Sequence, residues 1–236
     1  MKIDLYGDGI GSVSLVSSVG TDKTITNSAR VSFGQDNDKE LTEKDKKLIK
    51  YLISHRHTST LEHNLVTFMF EVPLFVRSQH HRHRTWSYNE ISRRYTEMDL
   101  KFYEPKMFRT QHKSNRQASN ENDLIDPVIY RDWDDPEVGR TASQAIFEHH
   151  CNSLTLFNRL ISEGVCREQA RGVLPQNLYT RYYGTVNLNN LLKFIDLRTH
   201  EGAQWEIQKV AEACLEIAET LWPYTVSAYR EIRGEV

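Results

Sequence analysis

The chain has 236 residues with a formal net charge of -2, 39% hydrophobic and 26% charged, which suits one large folded domain or two small ones and excludes a disordered chain. A charge so near neutral gives no global basic field to draw the molecule onto nucleic acid. Three cysteines (Cys151, Cys166, Cys214) without a CxxC spacing exclude a disulfide framework or thiolate zinc site, and no apolar run approaches the ~20 residues of a membrane span or forms a signal core, so a cytoplasmic protein is expected.

From Met1 to about Phe33, short β-prone pieces (SVSLVSS, ARVSF) alternate with Gly and polar residues. GDGIG at 7–11 resembles half a phosphate loop, but no strand–loop–helix frame surrounds it, and a hairpin turn is the better reading. Thr42 opens TEKD, a capping box with Asp in place of Glu. Leu48, Ile49, Leu52 and Ile53 follow at helical spacing, predicting a helix to about His55. Val66, Phe68, Phe70 and Val72 alternate with Thr67, Met69 and Glu71 as in a half-buried strand. Pro73 ends it and suits the first turn of a helix over PLFVRSQHHRHR, with Leu74, Phe75 and Ser78 inward and Arg77, His81 and Arg84 along one stripe. A polar loop is expected after it.

Residues 104–137 are polar and poor in aliphatics, predicting an exposed, partly mobile insertion. A long helix is expected over about 139–163, with Ile146, Leu154, Phe157, Leu160 and Ile161 facing the core. CREQARGVL reads as a shorter helix ending before Pro175. LYTRYYGTVN reads as a strand, and Asn187 as the N-cap of LNNLLKFIDLR. A last helix is expected from about Ala203 to Leu221, stopped by Trp222 and Pro223. The sum is a single α/β domain of the α+β type, with antiparallel strands and long helices.

The stretch RHRTWSYNEISRRY, residues 82–95, crowds Arg82, His83, Arg84, Arg93 and Arg94 around one acid, Glu90. Arg suits bidentate pairing with phosphate or carboxylate. Nearby acids are too few to match these residues together with Arg171, Arg181 and Arg198, so an anionic ligand is favoured over internal ion pairs. The histidines at 55–57, 63 and 80–83 invite a metal reading. His80 and His81, however, point about 100° apart on a helix, and the arginines would repel a divalent cation; no metal is expected. Ser87 and Ser92 lack a GxSxG elbow and read as phosphate ligands before nucleophiles. Trp86, Tyr88, Tyr95, Tyr179, Tyr182, Tyr183 and Trp205 suit core packing singly, and with the arginines suggest a flat, nucleotide-like ligand. A single-strand nucleic-acid groove and a metal-dependent phosphohydrolase are the competing readings.

The same stretch meets every fixed position of RHRxxSxNExSxRY and resembles the signature of flavin-dependent thymidylate synthases. ARVSFG at 29–34, RHTSTLEH at 56–63, ARGVLPQNLYT at 170–180 and LRTHEGAQWEIQ at 197–208 resemble that family in its order; 104–137 resembles it least. The resemblance implies a mixed α/β fold and a cytoplasmic homotetramer with active sites built where subunits meet. It implies methylation of dUMP to dTMP, with 5,10-methylenetetrahydrofolate as carbon donor, FAD as hydride mediator and NADPH as reductant. It also implies site roles. Gln79, Glu90, Ile91, Ser92, Arg93, Arg94 and Arg171 would bind dUMP, with Arg198 facing base and flavin. Ser59, Glu62, Arg82, His83, Arg84, Glu90 and Asn187 would contact FAD. Arg94 would stabilise charge developing on uracil, and His57 would lie where folate or NADPH approaches. Ser92, once the family's candidate nucleophile, is not needed as one. Gly202 stands where some members carry His, with His200 two residues earlier, and Lys193 stands where an Asn flavin contact can occur.

Overall fold

In the computed structural model, which describes residues 1–34, 40–92, 94, 100–131 and 139–234, GDGIG is the turn of a hairpin. It joins β1 (Lys2–Asp4) to β2 (Ser12–Val19), with Ile3 opposite Val13. Asp8 Oδ1 accepts from the Ile10 and Gly11 N–H groups at 2.9 Å, and Gly7 and Gly9 take φ of 69° and 71°, a conformation glycine adopts without a Cβ penalty.

The ARVSF stretch is not a strand. Thr21 and Thr24 form a capping box that starts α1 (Asp22–Arg30), and a 3-10 turn at Val31–Phe33 follows. Local capping and the burial of Ile25 outweigh the β preference of Val31 and Phe33, which stay exposed. Then α2 (Glu43–Ser54) begins at the expected TEKD box: Asp45 Oδ2 accepts the Thr42 N–H at 2.7 Å. The same buried carboxylate pairs with Lys23 and Arg30 of α1, a second task for the shorter acid.

Strand β3 (Leu65–Pro73) buries Val66, Phe68, Phe70 and Val72 as expected. Helix α3 (Leu74–His80) stops sooner than the periodicity suggests, so the Arg77–His81–Arg84 stripe does not form. Its buried residues are Val76 and His80 rather than Leu74, Phe75 and Ser78. Part of the expected polar loop is a strand, β4 (Ser87–Glu90). The described part of the polar insertion, 104–131, is mostly exposed but contains short strands: β5 (Phe108–Gln111) pairs with β6 (Ser119–Ile125), and β7 (Val128–Arg131) pairs with β8 (Gly139–Thr141) beyond the insertion, both antiparallel. Next come α4 (Ala142–Ser162), α5 (Arg167–Ala170) with a 3-10 turn at Arg171–Val173, and β9 (Tyr179–Asn187). The Asn187 side chain caps α6 (Leu188–Arg198) at the Asn190 N–H, 2.9 Å. After α7 (Trp205–Leu221), Pro223 does not end the helical region. It occupies the first turn of α8 (Pro223–Arg233), where its missing N–H costs nothing.

The architecture is thus mixed α/β, its main sheet ordered β1-β2-β3-β9-β4. Two compact units are distinguished: Met1–Glu71, His80–Asn89 and Tyr182–Val236 in the first, Val72–Gln79 and Glu90–Arg181 in the second. In the first, α7 packs on β2, α6 and α8, and Leu188, Phe194, Ile195, Ile207, Val210 and Ile217 lose essentially all solvent contact. In the second, α4 packs against α5 and the turn that carries Arg171. No helix among the described residues is long and apolar enough to cross a membrane.

Candidate active site

The second unit holds a cleft of about 540 Å³ lined by Leu74, Arg77, Glu90, Ile91, Ser92, Glu168, Arg171, Gly172, Leu174, Gln176, Leu178 and Thr180, within the size range of small-molecule sites. Its walls are tied together by backbone bonds. Leu74 N–H donates to Leu178 O at 3.0 Å, anchoring the start of α3, and Ile91 N–H donates to Arg181 O at 2.9 Å, fixing the end of β4. Glu90 is clamped in this frame. Thr180 Oγ1 donates to Glu90 Oε1 at 2.6 Å, and Arg77 Nε lies 3.2 Å from the same oxygen as an ion pair whose N–H is not aligned for a hydrogen bond.

The other polar groups of the cleft are less neutralised. Arg171 has no carboxylate partner among the described residues. Ser92 Oγ accepts the Arg94 N–H at 3.3 Å, an acceptor role, and no base among the described residues bonds to it. A smaller adjoining cavity is lined by Arg94, Cys166, Arg167 and Glu168, with Arg94 Nη2 3.5 Å from Glu168 Oε2. Both groups of that pair are more than half exposed, so it contributes little stability and can open for a ligand.

The first unit carries a second cluster. Arg198 Nε donates to His83 Nε2 at 3.0 Å, which requires a neutral His83. Burial, then the Arg198 charge, lowers the His83 pKa to about 4. His80 lies at the centre of Phe70, Tyr182, Trp86 and Phe194, its Nδ1 2.8 Å from the Tyr182 hydroxyl. Burial, aided by His83, His81 and Arg198, pushes the His80 pKa well below the usual histidine value. Gly184 passes under these rings; a Cβ there would meet Phe70 at 2.8 Å and Trp86 at 3.2 Å. Arg82 and Arg84 are exposed, and neither pairs with a carboxylate among the described residues. Glu62 accepts from the Asn189 side chain at 2.9 Å; Ser59 is exposed on a 3-10 turn, Thr58–Leu61. His57, also exposed, stacks towards Tyr51.

Of the residues expected at dUMP, the structure gathers Glu90, Ile91, Ser92 and Arg171 in one cleft and sets Arg94 in the adjoining cavity. Gln79 lies in the last turn of α3, half-buried, and does not line the cleft. Arg198 bonds to His83 in the first unit, and Arg93 lies outside the described residues. Sequence reasoning did not assign Arg77 and Thr180 to the site. Arg77 was visible as a basic residue on a helix; nothing in the chain pairs Thr180 with a glutamate 90 positions away. No cluster of metal-ligating residues occurs among the described residues.

Fold and site together define a mixed α/β protein with a cleft in which Glu90 is paired with Arg77, Glu168 with Arg94 of the adjoining cavity, and Arg171 with no described carboxylate. Residues 14–224 match the family model described as thymidylate synthase complementing protein. The flavin-dependent thymidylate synthase of Thermus thermophilus is 40% identical over 221 residues, covering 94% of this chain and 76% of the relative. That of Thermotoga neapolitana is 38% identical over 230 residues, 97% and 94%. The crystal structure of a UMP/dUMP methylase from Streptomyces cacaoi, bound with 5-Br dUMP, superposes with a TM-score of 0.79 at 32% identity, over 97% of each chain. The chain belongs to the flavin-dependent thymidylate synthase family.

Proposed function

We propose that this protein converts dUMP to dTMP, using 5,10-methylenetetrahydrofolate as carbon donor, NADPH as reductant and FAD as hydride mediator. The overall change balances: dUMP, methylenetetrahydrofolate, NADPH and a proton give dTMP, tetrahydrofolate and NADP+. The observation that carries the reading is the cleft lined by both the Ser92 hydroxyl and Arg171, the latter unneutralised by any described carboxylate, which suits a nucleotide phosphate. The first unit fits FAD through its donor chemistry. Arg82 and Arg84 suit the diphosphate; Ser59, Glu62, His83 and Asn187 supply hydroxyl, carboxylate, imidazole and amide partners. When bound, FAD supplies the hydride chemistry that side chains lack.

The chain's own residues then bind and orient. Arg171 and Ser92 hold the phosphate, and Arg93 joins them. Gln79, Glu90 and Ile91 fix the nucleoside, with Arg77 and Thr180 keeping Glu90 in place. Arg94 leaves Glu168 to stabilise negative charge developing on the uracil ring, while Arg198 faces the base and flavin. Ser92 binds and is not a nucleophile. His57 lies where the co-substrates approach. The reading extends to a single catalytic domain per chain, a cytoplasmic setting and a homotetramer, the last supported by exposed Phe147 and Leu156 on α4.

The test supplies FAD-loaded protein with dUMP, NADPH and methylenetetrahydrofolate and follows dTMP by chromatography. Formation of dTMP is expected, and none without dUMP. NADPH oxidation without dTMP would leave a flavoprotein with a different acceptor; neither, from assembled FAD-loaded protein, overturns the reading.

A further inference from the structure

Helix α2 ends in a Schellman closure. The His57 N–H donates to Leu52 O at 2.8 Å and the Arg56 N–H to Ile53 O at 3.1 Å. This closure needs a left-handed residue where Arg56 stands, and glycine is the usual occupant. Arg56 takes φ 55° and is the one non-glycine residue at positive φ among the described residues. The chain itself provides the comparison. Helix α4 closes with the same pair of bonds, Val165 N–H to Leu160 O at 2.9 Å and Gly164 N–H to Ile161 O at 3.1 Å, and there the left-handed residue is Gly164, φ 85°. Keeping an arginine at the equivalent place after α2 sacrifices backbone stability for a side chain. A conformation held against its preference points to function.

The surroundings indicate what the side chain meets. The left-handed turn brings His57 back towards Tyr51, their rings 5.9 Å apart and 20° from parallel, while His55 stacks on Tyr51 at 4.0 Å and 26°. Tyr51, His55, Arg56 and His57 are all exposed, and no carboxylate among the described residues pairs with Arg56. Near-parallel rings and a guanidinium without a described carboxylate partner, on one turn, suit a ligand with a flat ring and an anionic tail.

We propose that Arg56 is a specificity-determining residue that binds the anionic tail of a co-substrate arriving over the Tyr51–His55–His57 face. The inference rests on the thymidylate synthase reading, in which two co-substrates have this chemistry. Methylenetetrahydrofolate carries glutamate carboxylates, and NADPH carries a 2′-phosphate that NADH lacks.

The experiment compares wild type with Arg56→Gly, both FAD-loaded, by thermal denaturation and by direct titration with monoglutamyl and triglutamyl folate, NADPH and NADH. Removing the unfavourable φ raises Tm by roughly 2–4 °C, so lost binding cannot be ascribed to a damaged fold. Binding of one anionic-tailed ligand weakens by roughly fivefold to tenfold at low salt, and the difference between the proteins shrinks as salt rises. A loss for the folates, equal or larger for the triglutamyl form, with NADPH and NADH unchanged, assigns Arg56 to the glutamate carboxylates, and a loss confined to NADPH over NADH assigns it to the 2′-phosphate. Equal binding of all four ligands by the two proteins overturns the proposal, as does a loss that ignores the tail. Wild type that forms dTMP while Arg56→Gly binds unchanged sinks this inference alone; wild type that forms none sinks the reading beneath it.

Discussion

At the scale of the residue, the site rests on which charges the fold neutralises and which it leaves. Glu90 is matched by Thr180 and Arg77, and Glu168 by Arg94, whereas Arg171 is not matched among the described residues. Arg171→Ala is therefore expected to weaken dUMP binding about 10- to 100-fold, the loss of a charge-assisted phosphate contact. Deoxyuridine, which lacks the phosphate, should bind both proteins alike. Isothermal titration of the two ligands decides it; an equal loss for both would place Arg171 at the base. Ser92→Ala removes a phosphate ligand and the acceptor of the Arg94 N–H, so dUMP affinity or turnover should fall while measurable dTMP formation persists. Complete inactivity with dUMP affinity intact would restore the nucleophile. Part of this site was legible because Glu90, Ile91, Ser92 and Arg94 sit within the RHRxxSxNExSxRY stretch. The Glu90 clamp was not, since it joins α3, β4 and β9, and a one-dimensional pattern carries no pairing between distant strands. Arg56 was also hidden: a Schellman closure without glycine has no composition cue.

At the scale of the element, local signals with their own chemistry were readable and those needing a distant partner were not. The TEKD box, the alternation in β3 and the Asn187 cap each specify structure within a few residues, and α2, β3 and α6 form where expected. Helix α8 shows the contrary case. Its sequence offers Pro223 as either a stop or a start, and the choice is made by Asp22 of α1. Asp22 Oδ1 accepts from the Thr225 N–H at 2.9 Å and Oδ2 from the Tyr224 N–H at 3.2 Å, capping a helix 202 to 203 residues away in the chain. The carboxylate is buried, so its removal leaves N–H groups without solvent to replace it. Asp22→Ala should cost about 2–3 kcal/mol, read as a lower urea midpoint at unchanged slope. Asp22→Asn, which keeps an acceptor, should lose less. Equal stability of all three proteins would mean that α8 is held by its apolar face alone.

At the scale of the molecule, the two perturbed histidines link protonation to folding. His80 and His83 both sit below the ordinary histidine pKa, His80 because it is buried among aromatic rings and His83 because it is half-buried beside Arg198. As pH falls through about 6.5, the unfolded chain takes up these protons before the folded one does, so stability falls with pH. It is full above about 6.5 and erodes below it, and the contribution of His83 to the slope ends near pH 4. Each proton bound in excess by the unfolded chain removes about 1.4 kcal/mol per pH unit; buried His80 approaches that slope, and solvent screening reduces the share of His83. Asp45 acts in another window. Burial opposes its ionisation, but bonds from Thr42, Lys23 and Arg30 outweigh burial and hold its pKa below the usual carboxylate value. Its stabilisation is therefore lost only below about pH 4. Urea midpoints measured from pH 8 to pH 4.5 should thus be flat down to about 7 and then decline. His80→Gln should start from a lower midpoint at pH 8, having lost the packing of the ring, and decline less steeply below 6.5. A wild-type midpoint unchanged to pH 5 would mean that the folded protein accepts these protons as readily as the unfolded chain, and that the His83–Arg198 contact survives a charged imidazole.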